Sequence, residues 1–104
     1  MAFADNLKQL PAVSHLAALQ LLDATGGVVA TLENKPGQSG ALAVYAALAA
    51  RHGSINAVAA QDGLDLFAEH TASARAHPGS HPNIDRLLAV IASGEGFAVA
   101  LVPV

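Results

Sequence analysis

Between Glu69 and Asp85 the chain reads Glu-His-Thr-Ala-Ser-Ala-Arg-Ala-His-Pro-Gly-Ser-His-Pro-Asn-Ile-Asp, and three of its five histidines, His70, His77 and His81, fall inside this stretch. Imidazole does two kinds of chemistry near neutral pH: it ligates metal ions and it moves protons. Zinc takes imidazole and carboxylate ligands, usually in a tetrahedron. His70, His77 and His81 are therefore the candidate ligands for zinc or another divalent metal, with Glu69 and Asp85 as ligand-binding carboxylates that would complete the set. His77 and His81 flank Pro78-Gly79, the expected central residues of a type II turn, whose ends lie within ~7 Å. His70 stands two helical turns before His77, about 10 Å along the axis, so joint ligation needs the chain to fold back at Pro78. The spacing matches no familiar metal motif.

The acid–base reading is thinner. A histidine beside a carboxylate can act as a general base, and Glu69–His70 and His81–Asp85 are the available pairs. Neighbours on a helix diverge by about 100°, which separates the first pair. No serine sits in a Gly-x-Ser-x-Gly elbow, and no residue is assigned a catalytic role; the chain leans away from being an enzyme. The plainest reading makes His70 a residue at the edge of the core and places His77 and His81 at helix ends.

The elements that must hold these residues follow from periodicity. Phe3, Leu7 and Leu10 fall on one helical face, and Pro11 stops the helix. Residues 16–22 and 28–32 read as a β-hairpin around Asp23-Ala-Thr-Gly-Gly27, where the glycines and Asp23 supply turn chemistry. Leu16, Leu19 and Leu22 also fit a helical stripe; the strand is preferred because the β-branched second arm needs a partner. A turn-rich connector, Asn34 to Gly40, leads into a helix over 41–52 that ends at Gly53. Ser54 is the expected N-cap of a helix beginning at Ile55, with a break or kink at Gly63 and an inward face of Leu66, Phe67, His70 and Ala74. After Pro78-Gly79 another helix carries Ile84, Leu87, Leu88 and Ile91 at i, i+3, i+4, i+7 and stops at Gly94. Residues 97–102 alternate as a strand with two apolar faces, which allows both to be covered, and Pro103, which cannot donate to a ladder, means that the strand ends there or lies at an edge. The order is α-β-β-α-α-α-β. It predicts an α+β fold, with a small, mainly antiparallel three-stranded sheet (the hairpin plus the C-terminal strand) packed by three to four helices in a single domain over 1–104.

Composition narrows the function. A length of 104 residues suits one domain. Five basic residues and a net charge of −3 leave little to neutralise phosphates, so nucleic acid is not an expected partner, nor is an anionic membrane. Residues 55–70 faintly suggest a helix-turn-helix, but Asp62, Asp65 and Glu69 would face the DNA. Lys35-Pro-Gly-Gln-Ser-Gly40 lacks the Lys-Ser/Thr pair of a phosphate-binding loop. Cysteine is absent, which removes disulfides and thiolate chemistry. No apolar run reads as a signal segment or a spanning helix, so a cytoplasmic location is expected.

The run Gly63-Leu64 to Phe67-Ala-Glu-His70, followed by His77-Pro-Gly-Ser-His-Pro-Asn-Ile-Asp-Arg-Leu87, resembles a family of small bacterial proteins, domain-of-unknown-function family 2322. Leu21-Leu22-Asp23 and Glu33-Asn34 of the hairpin fit the same pattern. The resemblance implies a small, uncharacterised bacterial protein and transfers no site residues. With scarce charge and an apolar last strand, the leading expectation is a non-enzymatic protein-interaction module, a homodimer or the partner of another protein. The alternative is a metal- or small-ligand-binding protein that uses His70, His77 and His81.

Overall fold

The computed structural model describes residues 2–104. Five helices and three strands follow in the order α1 (Phe3–Gln9), β1 (Leu16–Leu22), β2 (Val28–Glu33), α2 (Ser39–His52), α3 (Ala57–Phe67), α4 (Glu69–Ala76), α5 (Pro82–Ser93) and β3 (Ala98–Pro103). This is the expected α+β order, with the long middle helix divided into α3 and α4. All strands are antiparallel and lie in the order β2-β1-β3, so the C-terminal strand returns to the first arm of the hairpin.

The hairpin forms because its turn satisfies its own backbone. Asp23 Oδ1 accepts hydrogen bonds from the amides of Thr25 and Gly27, each at 2.9 Å, and from Thr25 Oγ1 at 2.7 Å. Led by the Thr25 hydroxyl, these bonds hold the Asp23 carboxyl below its ordinary value. At the far end of β2, Asn34 Nδ2 donates to the carbonyls of Val13 and Leu16, tying the hairpin to the segment that enters β1.

Side chains alternate across the sheet. Leu19 and Leu21 of β1, with Leu32 and Ala30 of β2 and Val99 of β3, join the hydrophobic core with Leu42, Tyr45 and Leu48 of α2, Leu64 and Phe67 of α3, and Ile84, Leu87 and Val90 of α5. Ala18, Gln20, Leu22, Ala100 and Val102 lie on the other face and are not part of that core.

Several expectations are corrected. Gly63 does not break the middle helix. It sits inside α3, where a Cβ would come within 2.7 Å of Leu87 Cδ1 and 2.9 Å of Leu48 Cδ1. Both leucines are fully buried, so glycine is there for the close approach of α2, α3 and α5. The break falls at Ala68, whose φ of +51° and ψ of −118° lie where residues with a Cβ are strained. Tertiary bonds hold it there: Thr71 Oγ1 donates to the carbonyl of Leu64 at 2.6 Å, and Asn6 Nδ2 of α1 donates to that of Leu66 at 3.0 Å. Asn56, not Ser54, caps α3, accepting from the Ala59 amide at 2.8 Å. Ile55, expected at the start of that helix, instead forms a β-bridge with Phe97. In α5 the buried stripe is Ile84, Leu87 and Val90; Leu88 is half-buried and Ile91 is 40% exposed. The stripe rotates because α5 packs mainly on α3. The last strand is not covered on both faces. It is one of the two edge strands, with β2 at the other side, and Leu101 is 50% exposed.

Candidate functional site

The break at Ala68 restarts the helix in a new direction, and His70 lies in the first turn of α4. Its ring meets Phe3 of α1 edge-on, with centroids 4.9 Å apart, and Phe3 stacks on Phe67 at 5.4 Å. His81, at the N-cap of α5, brings its ring to 5.5 Å from that of His70, tilted by 47°. Nε2 of His81 lies 3.2 Å from Ser73 Oγ on α4. The two imidazoles line an open cleft of about 470 Å³, whose other walls include Phe3, Phe67, Gly40 and Asn83.

The other sequence candidates are placed differently. His77 is exposed at the C-cap of α4. Its carbonyl accepts from the amide of Ser80 at 3.1 Å and from the Ser80 hydroxyl at 2.6 Å. With Gly79 at a φ of +92°, these bonds make the expected Pro78-Gly79 turn. Asp85 Oδ2 accepts from the Gly79 amide at 2.9 Å and locks that turn against α5. Glu69 Oε1 accepts from the Phe3 amide at 2.7 Å and fastens α1 to α4. This backbone bond leads the causes that hold the Glu69 carboxyl below its ordinary value, and the neighbouring His70 contributes. Among the described residues, no group of three or more His, Asp or Glu side chains is arranged to hold a metal ion. The fold thus brings His70 and His81 together, stations His77 at a turn, and engages both carboxylates in backbone bonds.

One supporting network was not foreseen. The Tyr45 hydroxyl of α2 donates to the carbonyl of Asn83 at 2.5 Å. Arg86 donates from Nη1 to Asn83 Oδ1 at 2.9 Å and to the Tyr45 oxygen at 3.3 Å. Burial pushes the Tyr45 hydroxyl above its ordinary value, against the opposing influence of Arg86. The network seats the first turn of α5, and with it His81, against α2. Its partners stand far apart in sequence, so periodicity carries no signal for it. A second polar cluster joins α2 to α3, where Asp62 meets His52 at 3.0 Å and Arg51 at 3.2 Å. Burial raises the Asp62 carboxyl, but the bonds from His52 and Arg51 outweigh it, and the net direction is down.

The free edge of β3 is the other candidate surface. Val104 donates its amide to the carbonyl of His15, beside β1, at 3.0 Å, and Phe97 exchanges backbone bonds with Ile55 on the opposite side. Backbone direction alternates along an antiparallel strand. Ala98, Ala100 and Val102 therefore bond inward to β1, while Val99 and Leu101 direct their N–H and C=O groups away from the sheet. Among the described residues no strand lies beyond them.

Residues 3–101 match the family described as an uncharacterised protein conserved in bacteria, DUF2322. The chain belongs to this family. No curated protein and no solved structure matches it. DUF2322 carries no assigned activity, so the chemistry of this member has to be argued from its own surfaces. No helix of the described chain is long and apolar enough to cross a membrane.

Proposed function

We propose that this DUF2322 protein is a non-enzymatic, cytoplasmic interaction module that associates with itself through the β3 side of its sheet. The observation that supports the reading is the free edge at Val99 and Leu101, with half of the Leu101 side chain in solvent. Exposed strand edges are templates for pairing, and proteins usually blunt them with charge. Here no charged residue occurs after Glu95. Sedimentation at micromolar concentration tests the reading: about twice the chain mass is expected, and Leu101→Lys should return the protein to the chain mass with unchanged circular dichroism. A parent protein that stays at the chain mass throughout that range overturns it.

The cleft supports a second reading, in which a small ligand or a divalent metal binds at His70 and His81. Its volume lies within the ~300–1,000 Å³ of small-molecule pockets, and the two rings are close enough to face one guest. Zinc binding would need neutral imidazoles and so weaken as pH falls. Calorimetry with zinc at pH 7.5 should show binding that His70→Ala and His81→Ala each remove and His77→Ala leaves in place. Absence of heat, or binding that survives both substitutions, rules out a metal held by His70 and His81.

A further inference from the structure

We infer that the occupant of the β3 edge is the β3 strand of a second copy, antiparallel, with the two-fold axis at Leu101. This rests on the interaction-module reading and adds partner and register to it.

The available edge is bounded on both sides. Ile55 already occupies the outward position beside Phe97, exchanging backbone bonds with it at 2.9 and 3.0 Å. Gly96 permits this approach, since a Cβ there would lie 2.1 Å from the Ile55 carbonyl oxygen. At the other end Pro103 offers a carbonyl but no N–H. The outward donors are therefore Val99 and Leu101, and the outward acceptors are Val99, Leu101 and Pro103.

These limits select a register. A two-fold at Ala100 would set the partner's Pro103 opposite Phe97, in the place that Ile55 fills. A two-fold at Val99 would ask Phe97 to bond outward a second time. With the axis at Leu101, each Leu101 exchanges both backbone bonds with the partner's Leu101. Each Val99 N–H meets the carbonyl of the partner's Pro103, so the missing proline N–H leaves only the Val99 carbonyl unpaired. The partner's Pro103 then lies opposite Val99, two residues from the Phe97 position that Ile55 fills.

Charge permits this occupant. Each copy carries −3, but no charged side chain follows Glu95, so two copies meet along this edge without opposing like-charged side chains. The half-exposed Leu101 side chains come together across the axis. Beside them a hollow of about 160 Å³, lined by Pro11, Val13, Ala46, Ala50 and Leu101, has no acidic or basic wall except His15. The small alanines leave room for the partner's leucine.

The chain contains no cysteine, so single cysteines report the register cleanly. In this arrangement Ala100 lies opposite the partner's Val102 as a non-hydrogen-bonded pair, about 4.5 Å between Cα atoms, close enough for a disulfide. Ala100→Cys and Val102→Cys full-length proteins, mixed and oxidised, should give a covalent dimer whose peptide map joins positions 100 and 102. Each variant alone should give at least about fivefold less. Equal cross-linking by Ala100→Cys alone overturns the register in favour of an axis at Ala100. A parent dimer in sedimentation with no cross-link in the mixture overturns the inference but leaves the interaction-module reading standing. A parent monomer removes both. Should either cysteine variant fail to fold, hydrogen exchange on the parent decides: the Val99 and Leu101 amides should gain protection at least tenfold between dilute and concentrated protein, and unchanged exchange overturns the proposal.

Discussion

Around His70 and His81 the polar groups are answered from within the chain: Glu69 by the Phe3 amide, Asp85 by Gly79, Asn83 by Tyr45 and Arg86, and Thr71 by Leu64. Along Val99 to Leu101 the outward backbone groups meet no other strand among the described residues. The region richest in ionisable side chains is thus internally stitched, while the region with none is left open. Helix ends leave backbone groups without partners inside the helix, and around the cleft side chains from neighbouring elements supply them. A strand edge cannot satisfy itself, so its free groups wait for water or another strand. In this molecule, density of chemical side chains is a poorer guide to an unfinished surface than backbone accounting.

Substitutions can press on that contrast. The largest effect is expected in the stitched half, where Leu87 is fully buried. Leu87→Ala should cost about 2–5 kcal/mol in a denaturant titration. The same truncation at Leu101 should cost less than about 1 kcal/mol at a concentration that keeps the protein monomeric, since half of that side chain is already in water. Similar losses at the two sites would erase the distinction. Gly63→Ala comes next. A helical alanine gains up to ~1 kcal/mol of propensity, but overpacking against Leu48 and Leu87 typically costs ~1–3 kcal/mol. A net loss of about 1–2 kcal/mol is expected, and a gain would mean that the helices separate easily.

The acid limb of stability sharpens the comparison through charge. The carboxyls of Glu69 and Asp62 are held below their ordinary values of 4.5 and 3.8. A depressed folded-state pKa contributes stability above the unfolded value, and this is lost as pH falls through the folded one. Melting temperatures of Glu69→Gln and Asp62→Asn should therefore lie below the parent at neutral pH and converge with it in acid. A constant gap across pH 2–7 would show that the bonds do not depend on charge. The smallest effect is expected at Ala68. Glycine relaxes a positive φ at some entropic cost, so Ala68→Gly should stabilise by about 0.5–1 kcal/mol. A loss would place the strain elsewhere.

The foldback at Pro78 was legible because proline and glycine act on their own neighbours, and the turn needs only residues 77–80 and Asp85. The hairpin was legible for the same reason: Asp23 bonds residues within its own loop. The break at Ala68 was not, since alanine is a helix former and what bends the chain there is Thr71 reaching back to Leu64 and Asn6 arriving from α1. Gly63 misled for the complementary reason. Glycine commonly interrupts helices, but here neighbouring helices demand the missing Cβ. Of the candidate cluster, the turn roles of His77 and Asp85 could be read locally, whereas the approach of His81 to His70 depends on the Tyr45–Asn83–Arg86 network.

By itself the sequence determined which segments are helix or strand, their order, the α+β class and the resemblance to DUF2322, because these follow from periodicity, turn residues and local pattern. Only the tertiary structure decided that β3 pairs with β1 rather than β2, that its apolar alternation is not covered on both faces, and that His70 and His81 share a cleft while His77 stands apart. Two-sided apolarity fits a central strand or an uncharged edge equally well, since alternation reports side-chain direction and says nothing about neighbours. Which strands end up at the edges is settled by long-range contacts, here the pairing of β3 with β1, which leaves β2 and β3 on the two sides of the sheet.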